Sequence, residues 1–117
     1  MVNLPEKPNV ERWAEMPFIA QMANIGSEVG RTLKWKRKGN ASMARGAFVR
    51  ALDLFDLTIT VGRKNEPFSS RDSMLKEVIR ARDQFCEEYL SDDSEALLSS
   101  DKYFSHFAKA FALRSSR

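Results

Sequence analysis

The sequence has little of the chemistry on which most enzymes depend, with one cysteine and one histidine in 117 residues. Because Cys86 has no second cysteine with which to pair, an internal disulfide is excluded and a reducing compartment is favoured. Its apolar helical neighbours predict a buried, inert thiol. His106 lacks an acid–base partner or further metal ligands, and Lys102 and Lys109 indicate a surface position. The sequence therefore predicts a non-enzymatic protein with no catalytic residue, no metal site and no cofactor.

Long apolar runs are also missing. No run approaches the ~18 residues that span a bilayer. Residues 1–12 mix prolines and charges where a secretory signal would be apolar. We therefore expect a cytoplasmic protein with no membrane partner. The length is typical of one domain, so residues 1–117 are predicted to form a single unit, with residues 1–12 extended or mobile.

What the chain does have is amphipathic periodicity. Apolar residues recur at steps of three and four, which predicts helices at about residues 17–38, 42–62, 69–90 and 100–115. The side chains expected in the core are Phe18, Ile25, Val29, Phe48, Phe55, Val78, Phe85, Phe104 and Phe111. No segment alternates like a strand, and the connections are short. The predicted fold is all-α, a single antiparallel up-and-down four-helix bundle.

Local signals add detail to these helices. Gly39 can adopt the left-handed conformation that ends the first helix. The β-branched residues 58–61 would favour a strand in isolation, but we assign them to the end of the second helix. Gly26 and Gly30, four residues apart, would let a neighbouring helix approach closely. Residues 10–15 are expected to add a turn or to fold over one end of the domain.

The basic residues are concentrated in one stretch. Seven basic residues and no acidic one fall between residues 31 and 50, although the formal net charge is only +3. On a helix, Arg31, Lys34 and Lys38 share a face with Trp35, and Arg45 and Arg50 can extend this patch across the turn. Such a strip suits a phosphate backbone with stackable bases. The predicted nucleic-acid-binding residues are Arg31, Lys34, Trp35, Lys36, Arg37, Lys38, Arg45 and Arg50. A solvated helix end, where the helix dipole favours cations, and a surface for a protein partner stay open as alternatives.

An acidic block lies later in the chain. Seven acidic residues and no basic one fall between residues 83 and 101. They lack the Asp-x-Asp-x-Asp-Gly frame of a calcium loop, so a solvated loop is predicted. The alternative is that this block complements the basic block of another subunit. Such oppositely charged surfaces favour head-to-tail contacts, which can close into a ring.

Three charged residues outside these blocks have structural interpretations. Asp53 and Asp56 are predicted to form salt bridges, either with Arg31 or Arg50 or with a neighbouring subunit. Arg82 shares a stripe with apolar residues. It therefore lies either at the edge of the core or at an interface, paired with an acid.

Three stretches carry a resemblance to known proteins: Ile25-Gly26-Ser27-Glu28-Val29-Gly30-Arg31, Ala51-Leu52-Asp53-Leu54-Phe55 and Tyr103-Phe104-Ser105-His106-Phe107. Through them the chain resembles the small bacterial four-helix-bundle proteins, namely the 23S ribosomal RNA intervening-sequence proteins and the accessory variability proteins of diversity-generating retroelements. The resemblance implies a homo-oligomer, arranged as a five-fold ring or barrel with a basic surface. It also implies an accessory role beside a reverse transcriptase and its RNA.

The sequence thus predicts a non-enzymatic accessory protein that forms a homo-oligomer, with a pentamer favoured. It is expected to bind nucleic acid, with RNA favoured, non-specifically through its basic surface, and a reverse transcriptase is a candidate partner. The alternative is a protein-binding adaptor with no nucleic-acid role. A hydrolase or nuclease would need an acid–base pair or a metal set that the sequence does not offer.

Overall fold

The structure, a computed structural model, describes residues 10–65 and 71–115. Within these two ranges the chain is helical and contains no β-strand. The helices are α1 (Val10–Ala14), α2 (Phe18–Arg37), α3 (Ala41–Asn65), α4 (Arg71–Leu90) and α5 (Leu98–Ser115), and a short 3₁₀ helix, Ser94–Leu97, precedes α5. The predicted all-α class is confirmed for the described residues.

A tight turn joins α2 to α3. Gly39 has a φ of 72°, and the N–H groups of Gly39 and Asn40 donate to the carbonyls of Lys36 and Trp35 at 3.0 Å. The Asn40 side chain accepts from the Met43 N–H at 3.1 Å, which caps the start of α3. The predicted helix end at Gly39 is confirmed. The turn brings the last residues of α2 beside the first residues of α3.

Three predicted boundaries differ from the structure. α3 continues through Gly62 to Asn65, because a glycine costs only about 1 kcal/mol inside a helix. α5 begins at residue 98, and the 3₁₀ helix forms within the predicted acidic loop. Residues 10–12 belong to α1 and are not extended. The predictions for residues 1–9 and 69–70 lie outside the described residues.

Helix α1 packs against α3 through its tryptophan. Trp13 is buried, and its Nε1–H donates to the Thr58 Oγ1 at 2.8 Å. The Gln21 amide then donates to the carbonyls of Trp13 and Met16, at 3.0 and 3.1 Å. Thr58 lies inside α3, so the helical assignment of the β-branched stretch 58–61 is confirmed. These contacts fix α1 against α3.

The core is rich in aromatic side chains. Six of the nine predicted core residues are buried: Ile25, Val29, Phe55, Val78, Phe85 and Phe104. Phe18 and Phe48 are partly buried against them. The prediction for Phe111 is wrong, since 40% of it is exposed. Phe107, one turn earlier, already contacts Phe18 at the first residue of α2, so α2 offers nothing further to cover Phe111.

Helices α2 and α5 approach closely at a glycine. A Cβ built on Gly26 would lie only 2.9 Å from the Cβ of Phe104. One built on Gly30 would lie 3.2 Å from Asp101 Oδ1, and Phe18 contacts Phe107. Residue numbers therefore rise along α5 as they fall along α2. The predicted close approach of a neighbouring helix is confirmed at Gly26.

Helices α3 and α4 are joined by ring contacts. Phe48 stacks on Tyr89 with ring centroids 3.8 Å apart, and Phe55 lies 5.9 Å from Phe85. Further along, a Cβ built on Gly62 would contact Leu75, so here too the residue numbers run in opposite directions. Phe55 also contacts Phe104 of α5 at 5.5 Å, which links all these helices through one cluster.

The contact at Gly26 can be tested against a second helical glycine. We expect Gly26→Ala to lower the free energy of unfolding by up to about 2 kcal/mol, because overpacking costs ~1–3 kcal/mol and helix propensity returns about 1 kcal/mol. The control is Gly46→Ala, whose new Cβ would meet only the flexible Arg50 Nη1 at 3.4 Å, so its stability should hold or rise. Urea denaturation followed by circular dichroism measures both. Equal stability of the two variants would contradict the contact.

Candidate nucleic-acid interface

The predicted binding residues lie on two neighbouring helix segments. Six of them, from residue 31 to 38, are on the C-terminal half of α2 or at its cap. Arg45 and Arg50 are on the N-terminal half of α3, across the tight turn. Trp35 and Lys36 are half-buried, while the other six are exposed. Their partners divide them into three groups.

The first group is held by the loop that follows α4. The Lys36 Nζ donates to the carbonyl oxygens of Tyr89 and Ser91, the latter at 3.0 Å, and lies 5.0 Å from the Tyr89 ring centroid. Arg37 forms a bidentate ion pair with Glu95, in which Nε and Nη2 donate to the two carboxylate oxygens at 2.7 and 2.6 Å. The hydrogen bond to Glu95 raises the pKa of Arg37, and the same bond lowers the pKa of Glu95. One acid of the acidic block therefore pairs with the basic block of the same chain.

The second group is held by a carboxylate that the sequence reasoning missed. Glu28 is buried between α2 and α3, where it accepts from Arg31 Nη1 at 2.5 Å and from Arg50 Nε at 3.2 Å. Glu28 lies three residues before Arg31, outside the stretch that contains no acid. The (i, i+3) spacing to Arg31 was the signal that could have found it.

The third group consists of the tryptophan, the two lysines beside it and one arginine across the turn, and its cations have no acidic partner among the described residues. The Nζ atoms of Lys34 and Lys38 lie 5.3 and 5.2 Å from the Trp35 ring centroid, within reach of a cation–π attraction. Arg45 is exposed across the turn and makes no ion pair within the described part of the chain. Lys34, Trp35, Lys38 and Arg45 are called the open basic surface below.

The remaining acids have local structural roles or face solvent. Glu88 accepts from the side chains of Gln84 and Ser99 and from the Ser100 N–H near the start of α5. Asp93 caps the 3₁₀ helix by accepting from the Glu95 N–H. The others in the acidic block do not assemble into a ligand set, since residues 10–65 and 71–115 contain no group of three metal-binding side chains.

The predicted salt bridges are only partly as expected. Asp56 pairs with Arg82 at 2.9 Å, so its partner is neither Arg31 nor Arg50, and Arg82 finds its acid within the same chain. Asp53 is exposed.

The histidine and the cysteine were the two candidates for a reactive side chain. His106 is exposed, as its lysine neighbours predicted. Cys86 is half-buried and not fully buried as predicted, and desolvation raises the pKa of its thiol. A raised thiol pKa leaves less thiolate at neutral pH, which is consistent with the predicted inertness.

Two grooves lie elsewhere on the described surface. One, of about 500 Å³ between α4 and α5, is crossed by the Tyr103 hydroxyl, which donates to Glu77 at 2.5 Å. Burial is the main cause that raises the pKa of Tyr103, and this hydrogen bond raises it further. The other, of about 350 Å³, lies among the start of α2, the end of α3 and the first turns of α4, and its lining mixes apolar side chains with Gln21 and Thr58. Neither is lined by a predicted binding residue. The helices in the described ranges are too short or too polar to cross a membrane.

Comparisons with protein-family models, with curated proteins and with solved structures found no significant match. The resemblance to the intervening-sequence and accessory variability proteins therefore stays a prediction.

The ion pair between Arg37 and Glu95 gives a pH-dependent prediction. Because the folded-state pKa of Glu95 is lowered, the stability it adds is present above its unfolded pKa of about 4.3 and is lost as the pH falls through the folded value. Glu95→Gln should therefore melt at a lower temperature than the parent at neutral pH, and this difference should shrink below about pH 4.

The control for that experiment is Asp92→Asn, an exposed acid in the same loop with no ion pair in the described residues. Its melting temperature should stay close to that of the parent at every pH. If Glu95→Gln and Asp92→Asn behave alike, the Arg37–Glu95 pair contributes nothing to stability in solution.

Proposed function

We propose that this protein is a non-enzymatic nucleic-acid-binding protein that contacts phosphate groups, with RNA favoured, through the open basic surface. The observation that carries the proposal is that Lys34 and Lys38 lie beside the Trp35 ring, with Arg45 exposed on α3 across the turn, and that none of the three has an acidic partner in the described residues. The dipole at the end of α2 favours nearby cations but does not account for Arg45, which lies near the start of α3.

The chemistry of this surface favours weak binding without sequence specificity. Lysine ammonium groups act as mobile point charges on phosphates, and counterion release makes such binding strongly dependent on salt. Trp35 can stack with an unpaired base, although a base must first displace one of the two ammonium groups that border the ring. Lys36 and Arg37 contribute less, because the loop after α4 already engages them.

The architecture that we propose is an antiparallel four-helix bundle formed by α2 to α5. The opposite directions of residue numbers between α2 and α5 and between α3 and α4 support it. We further propose that copies of this bundle associate as a homo-oligomeric ring, with a pentamer favoured, as the resemblance implies. Repetition of the open basic surface around a ring would strengthen a weak contact through multivalency. The resemblance adds a reverse transcriptase and its RNA as candidate partners.

Charge reversal on the open basic surface tests the binding role. The triple variant Lys34→Glu, Lys38→Glu and Arg45→Glu should lose binding to a fluorescein-labelled oligouridylate, measured by fluorescence anisotropy at low salt. The control reverses three exposed cations of α5, Lys102→Glu, Lys109→Glu and Arg114→Glu, with the same change in net charge, and should retain most of the binding. For the parent, three contacting cations predict a slope of log affinity against log salt of about −2 to −3.

Two outcomes would count against this role. If the two triple variants bind equally well, the open basic surface is a solvated helix end. If the parent binds single-stranded and duplex RNA equally and Trp35→Ala changes neither, the tryptophan takes no part, because only unpaired bases offer a free stacking face.

The second candidate function is a protein-binding adaptor. The observation that favours it is the exposure of Met43 and Val49, at 44% and 45%, on either side of Arg45 along α3. Apolar side chains beside a cation are common in protein interfaces. This role becomes the leading one if the charge-reversed variant on the open basic surface binds RNA as the parent does.

The assembly can be tested by light scattering after size-exclusion chromatography. A ring of the favoured size should have a mass of about five times the 13.4 kDa of one chain. Head-to-tail contacts between charged surfaces should weaken as salt rises, so the mass should fall at high salt. A mass of one chain at micromolar concentration in low salt would rule the ring out.

A further inference from the structure

A buried carboxylate lies beside the open basic surface and faces two arginines. The Glu28 side chain is 11% exposed, whereas those of Arg31 and Arg50 are 56% and 55% exposed. Each arginine uses one nitrogen on Glu28: Arg31 Nη1 contacts Oε1 and Arg50 Nε contacts Oε2. One negative charge thus meets two positive charges, and the cluster keeps a net positive charge.

The geometry resembles the way arginines bind a phosphate. A guanidinium has five N–H donors, so several donors of Arg31 and of Arg50 stay directed to solvent. Two arginines that converge on one two-oxygen anion are arranged as they would be around a phosphate oxygen pair. Glu28 therefore contacts the two arginines on their buried side, as a ligand phosphate would contact them on their solvent side.

We propose that Glu28 is an internal competitor that limits the affinity of the basic surface for phosphate groups by holding Arg31 and Arg50. This inference rests on the proposed nucleic-acid-binding function and adds a residue that sets its strength. Glu28 contacts no ligand itself and acts through the two arginines. In the parent, Arg31 and Arg50 contribute little, and the open basic surface provides most of the attraction.

Neutralising the carboxylate should raise the affinity of the basic surface for phosphate groups. Glu28→Gln keeps the shape of the side chain and one acceptor oxygen, but removes the negative charge that opposes a phosphate. Each cation released to contact a phosphate should strengthen binding about tenfold near 50 mM salt and steepen the salt slope by about 0.7–0.9. Because the amide oxygen that remains can still hold one of the two arginines, one cation is released, and we expect Glu28→Gln to bind oligouridylate roughly tenfold more tightly, with a steeper slope.

The matched control is Glu87→Gln, which makes the same change in net charge at an exposed acid that has no hydrogen bond or ion pair from its side chain within the described residues. It should raise affinity only slightly. Adding Arg31→Gln and Arg50→Gln to the Glu28→Gln variant should remove the gain. All variants are compared with the parent by fluorescence anisotropy on labelled oligouridylate over a salt series, with thermal unfolding as the check on folding.

A second measurement keeps the inference testable if Glu28→Gln unfolds. In the parent background, Arg31→Gln should weaken binding less than Lys34→Gln, because Arg31 is already held while Lys34 is not. Equal losses would overturn the inference, as would equal affinities of Glu28→Gln and Glu87→Gln while the parent still binds. If neither the parent nor any of these variants binds RNA, it is the proposed function that fails.

Discussion

The contact between Gly26 and Phe104 is the constraint on which the packing depends. Because Gly26 has no side chain, α5 lies close enough to α2 for Phe104 to reach the ring of Phe55 on α3. Helix α2 is therefore packed on two sides, by α3 and by α5. The cations on its C-terminal half project from a supported helix and not from a loop, which keeps their spacing constant. A surface whose charges hold fixed spacing loses less entropy when it binds a repeating polyanion.

Folding brings together basic and acidic residues that are far apart in the sequence. The basic and acidic stretches are far apart along the chain, yet the end of α2 and the loop after α4 meet in the same molecule, through Lys36 and through the Arg37–Glu95 pair. Glu28 engages two further cations. The positive surface left over is smaller than the sequence suggests and is centred on Trp35. Any contact between copies must use the charges that remain after this internal pairing.

What could be predicted from the sequence was mostly local. Helical periodicity, the end of α2 at Gly39 and the close approach at Gly26 follow from neighbouring residues, and all three were correct. Phe111 has the same periodicity as Phe104, but its burial depends on the register in which α5 packs against α2, which no local pattern contains. The partners of Lys36 and Arg37 lie more than fifty residues away. The sequence thus predicts a candidate surface, but which of its residues lack an internal partner could be read only from the fold.

The two tryptophans of the chain lie in opposite surroundings. Trp13 is buried, with its indole N–H bonded to Thr58, whereas Trp35 is half-buried between two ammonium groups. Indole emission responds to solvent and to nearby charge, so the two rings form separate optical reporters within one molecule. The emission of Trp13 reports the packing of α1 on α3, and that of Trp35 reports the ionic surroundings of the surface. Because the two emissions overlap in one spectrum, replacing either tryptophan with phenylalanine leaves the other as an intrinsic reporter of its own end of the molecule.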